Sequence, residues 1–484
     1  MNVRRSGVIA AIIAVALTWQ APAWGIDFKY PLLEDPLRTK PEVLEKGVIL
    51  PGDTRPIKRY TSKKISRPLS LGEAVDIALS NNPQIQATWA NIKVRAAAVG
   101  EARAAYLPKV SGTLGQTKDR IDYLRSSYSY LDTNVDRTTF LGGLNWLIFD
   151  FGGRGANLRA SNNLLAAALA SYDAALQGAL SKVTQAYFDA MIAKAAVKAA
   201  AESEEIAQAT LNSAKERELK GVISRSDRLR STTARDNAVL DSNRAQGNYQ
   251  KALAVLGRIM GVPGNTVITM PEYLPEKAAK INKDLNDWLK EAEKHHPAII
   301  AAKDQVEAAQ NQVKVAYSAG LPKVSFGANF YQNTRPGEAV SQVPLREYTV
   351  GVGVSVPIFE GFATTYKIRG AQAQVEQKKA QLADTEMQIA LDVIRAYADT
   401  VSALRNLDVS AHLVQAAQEA LTVSRRRYER GAADITEMLD TQSALTLARR
   451  ERIRCLAEWH SARLRLLASA GRLGRSAVLK VGGQ

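Results

Sequence analysis

Residues 106–115 read YLPKVSGTLG and residues 320–329 read GLPKVSFGAN, so Leu-Pro-Lys-Val-Ser stands at 107–111 and again at 321–325. The likeness extends outward from this pair at nearly constant spacing. Pro83 matches Pro297 and Pro108 matches Pro322, both 214 residues apart; Phe149 with Phe359, Tyr187 with Tyr397, Gly221 with Gly431 and Gly261 with Gly471 are all 210 apart. One four-residue shortening between Pro322 and Phe359 accounts for the change. The chain is therefore a tandem duplication, and a repeat of this kind governs the reading of the whole fold.

Each copy carries the same order of signals. Leu71–Tyr106 and Leu285–Ser318 are rich in Ala, Gln and Glu and predict helix. Pro108 and Pro322 stop it, because proline has no N–H to continue the ladder. The period then changes from 3.6 to 2. Val324, Phe326, Ala328 and Phe330 alternate with Ser325, Gly327 and Asn329; Tyr348, Val350, Val352, Val354, Val356 and Ile358 alternate with Thr349, Gly351, Gly353 and Ser355. The first copy repeats this with Val110 and Leu114, then Phe140, Leu144, Trp146 and Ile148. Four strands of about ten residues with one apolar face have the length and alternation of transmembrane β-strands. A soluble hairpin is the alternative that pattern alone leaves open.

From about Ala156 to Leu219 no proline intervenes and Gly178 is the one internal glycine, which predicts a helix on the order of 100 Å long. Its heptad seam runs through Leu165, Tyr172, Ala179, Ala186, Ala193, Ala200 and Ala207, with Leu169, Leu176, Val183, Ala190, Val197, Glu204 and Leu211 at the second position. Val375, Leu382, Ile389, Ala396, Ala403 and Ala417 keep the register in the second copy. So much alanine allows close helix approach. Gly221 and Gly431 end the long helices, and return helices run to Gly261 and Gly471.

The first 25 residues, with Arg4 and Arg5, an apolar run from Val8 to Leu17 and small residues at Ala21, Ala23 and Gly25, read as a cleaved secretory signal. Cleavage after Ala23 or after Gly25 both suit the pattern, and a retained anchor is opposed by the shortness of the run. The division that follows is 1–25 signal peptide, 26–68 leader, 69–261 first repeat, 262–283 connector, 284–471 second repeat and 472–484 tail. Cys455 is the only cysteine, so there is neither a disulfide framework nor a lipid-anchor cysteine after the signal. The formal charge of +16, or +14 without Arg4 and Arg5, points to acidic surfaces or cargo on an exported chain. No motif interleaves basic and stacking aromatic residues, so nucleic acid is not an expected partner.

Enzyme chemistry is not expected. GGRG at 152–155 lacks the Lys-Ser/Thr of a phosphate loop and sits at a strand-to-helix corner. His295 and His296 precede Pro297 where the first copy has Asn81 and Asn82, which reads as a helix start rather than a metal site. His412 and His460 are too sparse for a triad or zinc cluster. No cofactor is expected.

LSLGEAVDIALSNNPQI at 69–85, the paired Leu-Pro-Lys segments, WLIFDFGGR at 146–154 with VPIFEGF at 356–362, and RYERGAADITEMLDTQSAL at 427–445 closing on LRLLASAGRL at 464–473 resemble the two repeats of the TolC family of outer-membrane factors. The resemblance covers nearly all of 69–472. It implies an α+β membrane protein: a homotrimer whose four strands per chain make one twelve-stranded outer-membrane β-barrel, continued by a twelve-helix coiled-coil tunnel into the periplasm of a Gram-negative cell. Four strands alone cannot close in lipid, and three times four meets that need. The short helices of each repeat would stack end to end beside the long one, meeting at a belt of leader, connector and tail.

Function by that resemblance is passive conduction, with a periplasmic adaptor (membrane fusion) protein and an inner-membrane ABC transporter or proton-driven pump as partners, and outer-membrane lipid around the barrel. The resemblance places rings of Glu437 and Asp440 at a periplasmic gate and makes Asp227 and Tyr428 a hydrogen-bonded closing pair. The family's basic gate residue falls at Ala433, a departure that leaves the second closing bond without its donor. Some likeness to components exporting cyclolysin-type toxins tilts the cargo toward type I protein secretion. Drug or metal efflux is the alternative, and a periplasmic coiled-coil adaptor is the alternative of another class.

Overall fold

Proline and asparagine punctuate the chain where it changes direction. The computed structural model describes residues 35–46, 68–126, 129–272, 283–333, 345–430 and 432–481. The signal segment, most of the leader, part of the connector, Gly431 and the last three residues lie outside the described residues. Two compact units are distinguished, residues 1–40 and 41–484. In the first, the Asp35 carboxylate accepts the Thr39 and Lys40 backbone N–H groups at 2.8–2.9 Å. All else below concerns the second.

After a single turn, α1 (Val43–Lys46), the first copy forms α2 (Leu71–Asn81), α3 (Pro83–Ala104), β1 (Lys109–Ser126), β2 (Ser129–Phe149), α4 (Gly153–Leu219) and α5 (Arg225–Met260). The second forms α6 (Leu285–His295), α7 (Pro297–Ala319), β3 (Lys323–Asn333), β4 (Leu345–Ser355), α8 (Ala363–Glu429) and α9 (Ile435–Ser469), and α10 (Arg475–Val481) follows. The helix expected from Leu71 to Tyr106 is two helices, and so is its counterpart. Asn82 leaves the helical region at ψ 119° because Pro83 follows, and its side chain caps the next helix by accepting the Gln84 N–H at 2.9 Å. His296 does the same, with ψ 122° and Nδ1 accepting the Ala298 N–H at 3.2 Å. The histidine at the helix start is thus a cap.

The long helices have 67 residues each, and in the first copy the helix starts at Gly153, three residues before the expected Ala156. At 1.5 Å per residue each spans about 100 Å. Packing makes a wall. In its upper half α4 lies between α3 and α7, with α8 beyond α7; in its lower half α4 lies between α5 and α9, with α8 beyond α9. The upper and lower short helices meet end to end. A side chain at Gly261, which has φ +69°, would come within 2.7 Å of the Asn81 carbonyl, and one at Gly471, φ +71°, within 2.8 Å of His296 Cα. Only glycine suits both the left-handed backbone and the abutment.

The main core sits at that level. Leu69, Leu176, Leu180, Leu256, Met260, Met270, Leu464 and Val478 are buried together. Leader, connector and tail converge there: Leu69 N–H donates to the Thr269 carbonyl at 2.9 Å, Tyr187 Oη to the Leu69 carbonyl at 3.1 Å, and Lys194 Nζ to the Met270 carbonyl at 2.6 Å. Lys194 also borders a 560 Å³ cavity with Tyr249, Arg449 and Leu456.

The heptads are realised unequally. On α8 the buried set is one stripe, Ile389, Val393, Ala396, Thr400, Ala403, Leu407, Ser410, Ala417, Ser424 and Tyr428. On α4 burial broadens beyond the seam to Leu180, Thr184, Phe188 and Met191, because helices cover it on several sides, while Leu165, Leu169, Ala193 and Val197 are half-buried. Among the described residues no helix is long and apolar enough to cross a membrane.

Candidate functional site

The sheet is the first functional surface. Its order is β1-β2-β3-β4, all antiparallel, and among the described residues β1 and β4 are edges. Directly paired residues share a face. The register aligns Val110 with Leu144 and Ala328 and then Val350, Leu114 with Phe140, and Trp146 with Phe326 and Val352. One face is therefore continuously apolar. Val110, Val350, Val352 and Val354 on it are 64–78% exposed, and Phe330 bridges Phe140 and Tyr348 at ring distances of 5.8 and 5.0 Å. The opposite face carries Ser111, Thr113, Gly143, Asn145, Ser325, Asn329, Thr349 and Ser355.

The first hairpin exceeds the length the apolar alternation predicts, with 18 and 21 residues in β1 and β2. Pairing continues from Lys118↔Asp136 to Ser126↔Ser129. Beyond Leu114 the backbone ladder persists where the apolar face has ended. The last predicted residues of β4 fall short instead, since Val356 and Ile358 lie outside the ladder.

Each hairpin joins its long helix through two left-handed residues, Phe151 and Gly152 in the first copy and Gly361 and Phe362 in the second. Gly152 and Gly361 thus serve the left-handed backbone of the two corners. Gly153 packs so tightly that a Cβ there would lie 2.3 Å from Ser318 Oγ. Arg154, which sequence reasoning did not single out, ties the corner. It pairs with Asp150 at 3.5 Å, donates to the Ile148 carbonyl at 2.8 Å and lies 4.8 Å over the Tyr106 ring. Around the corner Phe149, Phe151, Phe359, Phe362 and Tyr366 are at least half exposed, an aromatic girdle of the kind found at a bilayer interface.

At the far end of the long helices, α4 closes on Gly221 at φ +71° with Val222 N–H donating to the Arg217 carbonyl at 2.9 Å. The return helix α5 opens with a reciprocal capping box: Ser224 Oγ accepts the Asp227 N–H at 3.2 Å, and Asp227 Oδ2 accepts the Ser224 N–H and hydroxyl at 3.2 and 2.8 Å. In the second copy Asp434 caps Glu437 N–H at 2.9 Å.

Tyr428 is buried with Ala214, Ile435 and Met438, and the Arg217 guanidinium lies 4.5 Å over its ring. Its hydroxyl has no hydrogen-bond partner among the described residues, and Asp227 is occupied by its cap. The single chain therefore does not join Asp227 to Tyr428. Glu437 Oε1 accepts from Arg427 Nη1 at 2.8 Å, whereas Asp440, one turn on, is exposed. Ala433 is half-buried. Arg230 Nη1 donates to Thr436 Oγ1 at 3.1 Å, linking α5 to α9. Arg217 and Arg427 were not singled out from sequence; the basic runs KERELKG at 215–221 and SRRRYERG at 424–431 were the available signals.

Among the described residues no group of His, Cys, Asp and Glu could hold a metal ion. A family model described as Outer membrane efflux protein matches residues 74–262 and 288–472, one match to each repeat. The chain belongs to the outer membrane efflux protein family. This outer membrane efflux protein is 34% identical over 411 residues to Protein CyaE of Bordetella pertussis, strain Tohama I, covering 85% of both chains. It is 21% identical over 402 residues to Outer membrane protein TolC of Escherichia coli K12, covering 80% of this chain and 79% of that one. The crystal structure of the outer membrane protein VceC from Vibrio cholerae superposes with a TM-score of 0.72 at 18% identity, covering 83% of this chain and 96% of the other. As a family member the chain is an outer-membrane channel that extends into the periplasm, and not an enzyme. That sets aside the periplasmic coiled-coil adaptor.

Proposed function

We propose that three copies of the chain close one twelve-stranded barrel and one twelve-helix tunnel, and that this duct conducts an exported protein passively from a type I secretion machine to the cell exterior. The observation that carries the reading is the continuous apolar face of a four-stranded sheet whose two edge strands have no further partner among the described residues. Unpaired backbone groups cannot face hydrocarbon, so further copies must supply the missing pairs. The wall of helices is one-sided in the same way, with α8 burying a single stripe and leaving its other faces for neighbours.

Energy comes from an inner-membrane ABC transporter joined through a periplasmic adaptor protein. Identity to Protein CyaE well above that to TolC supports this direction. Glu437 and Asp440 at the tip act as the acidic gate, with Asp440 the free carboxylate and Glu437 held by Arg427. Tyr428, with its buried and unbonded hydroxyl, and Asp227 serve the closed state once neighbouring copies pack the tips.

Deleting the gene tests the cargo. Loss of one secreted protein from the culture supernatant with unchanged drug and metal resistance is expected; retained secretion with new drug or metal sensitivity would favour the efflux reading. Heat-modifiable trimer bands in the outer-membrane fraction are expected in either case.

A further inference from the structure

The repeated pentapeptide carries a charge in both copies that the duct reading does not use. Lys109 and Lys323 are the first residues of β1 and β3. In the ladder Lys109 pairs with Asn145, which pairs with Gly327, which pairs with Gly351; Lys323 pairs with Ser355. All of these belong to the polar face, while the adjacent Val110 and Val324 belong to the apolar one. Both lysines are exposed, and neither has an ion pair among the described residues. A Cβ built at Gly327, Gly351 or Gly353 meets nothing within 4 Å, so the face beside them is open.

Among the described residues no carboxylate forms an ion pair with either lysine. Asp150 is buried against Arg154, and Glu360 accepts the Thr364 hydroxyl at 2.6 Å. Glu347, on the same face, lies eight residues up β4 from Ser355 (355 − 347 = 8), about 26 Å at strand rise. Lys109 is level with Gly327, four positions along β3 from Lys323 (327 − 323 = 4), an offset that strand tilt in a closed barrel takes up.

We propose that Lys109 and Lys323 face the lumen where barrel meets tunnel, and that the assembled duct carries there a ring of six ammonium groups that attracts anions and acidic polypeptide segments. The inference rests on the trimeric duct reading. Rings of fixed charge lining a pore set its ion preference. Among the described residues of the polar face no other Lys or Arg pairs into the rows of Lys109 and Lys323, and low-dielectric walls strengthen the field.

Reversal potentials of the full-length protein in planar bilayers under a potassium chloride gradient test it. The Lys109→Gln, Lys323→Gln double variant is expected to shift the reversal potential toward potassium, and the Lys→Arg pair to keep the wild-type value. An unchanged potential in the Gln variant would put the lysines among lipid headgroups and overturn the ring; so would an equal shift in the Arg variant. Polyglutamate added to the wild type is expected to block conductance in a salt-dependent manner, and absence of block would also overturn it, whether or not the variants insert. Wild-type protein that forms no conducting pore at all would overturn the duct reading itself.

Discussion

Asp173 sits on α4 beside the core and has no ion-pair partner among the described residues; burial alone pushes its carboxyl up to about 6 from the ordinary 3.8. Between those values the folded chain keeps a proton that the unfolded chain has released. Stability is therefore greatest below about pH 3.8 with respect to this group and is lost as pH rises through about 6. Asp173→Asn is expected to raise the melting temperature, followed by helical circular dichroism, at pH values above 6, and to lose that advantage in acid. At the tip the pairing of Glu437 with Arg427 makes Glu437 and Asp440, the carboxylates of the proposed gate, unequal. In bilayer recordings Asp440→Ala is expected to remove most of the cation preference of the tip and its block by multivalent cations. Glu437→Ala alone should do little, and Arg427→Ala should strengthen the block. Unchanged selectivity and block in Glu437→Ala with Asp440→Ala together would sink the acidic gate.

At the scale of elements, the two faces of the sheet make opposite demands. Val352→Arg puts a cation on the apolar face and is expected to cost about 2–4 kcal/mol near the bilayer midplane, seen as loss of the heat-modifiable trimer on gels. Thr349→Arg, on the polar face, is expected to leave the trimer intact. Much of this was legible in sequence, because strand alternation, helix-stopping prolines and duplication are local signals. The breaks at Asn82 and His296 were missed because composition on both sides is helical and only the residue before proline betrays the boundary. The extra length of β1 and β2 was missed because past Leu114 the hydrophobic period disappears while backbone pairing goes on. The tip's Arg427–Glu437 pair depends on a turn bringing two helices together, which spacing along one helix does not reveal.

At the scale of the molecule, both copies keep their long helices at 67 residues and their starts 210 positions apart, so the duplication preserves level as well as order. The copies diverge at the ends. Asp440 has Arg230 as its counterpart, and the corner residues are interchanged, Phe151-Gly152 against Gly361-Phe362. The wall is common to both copies and the chemistry at its ends is not. The open edges of the sheet have a kinetic meaning too. A lone chain carries two unpaired strand edges and an exposed apolar face, features that favour aggregation in water and cannot rest in lipid. For the trimer proposed above, insertion and assembly would then be a single event, whose rate rises more steeply than the first power of chain concentration. Cells making little of the chain would lose it as unassembled subunits before a pore forms, so the amount of working duct depends on synthesis as a threshold does, and not in proportion.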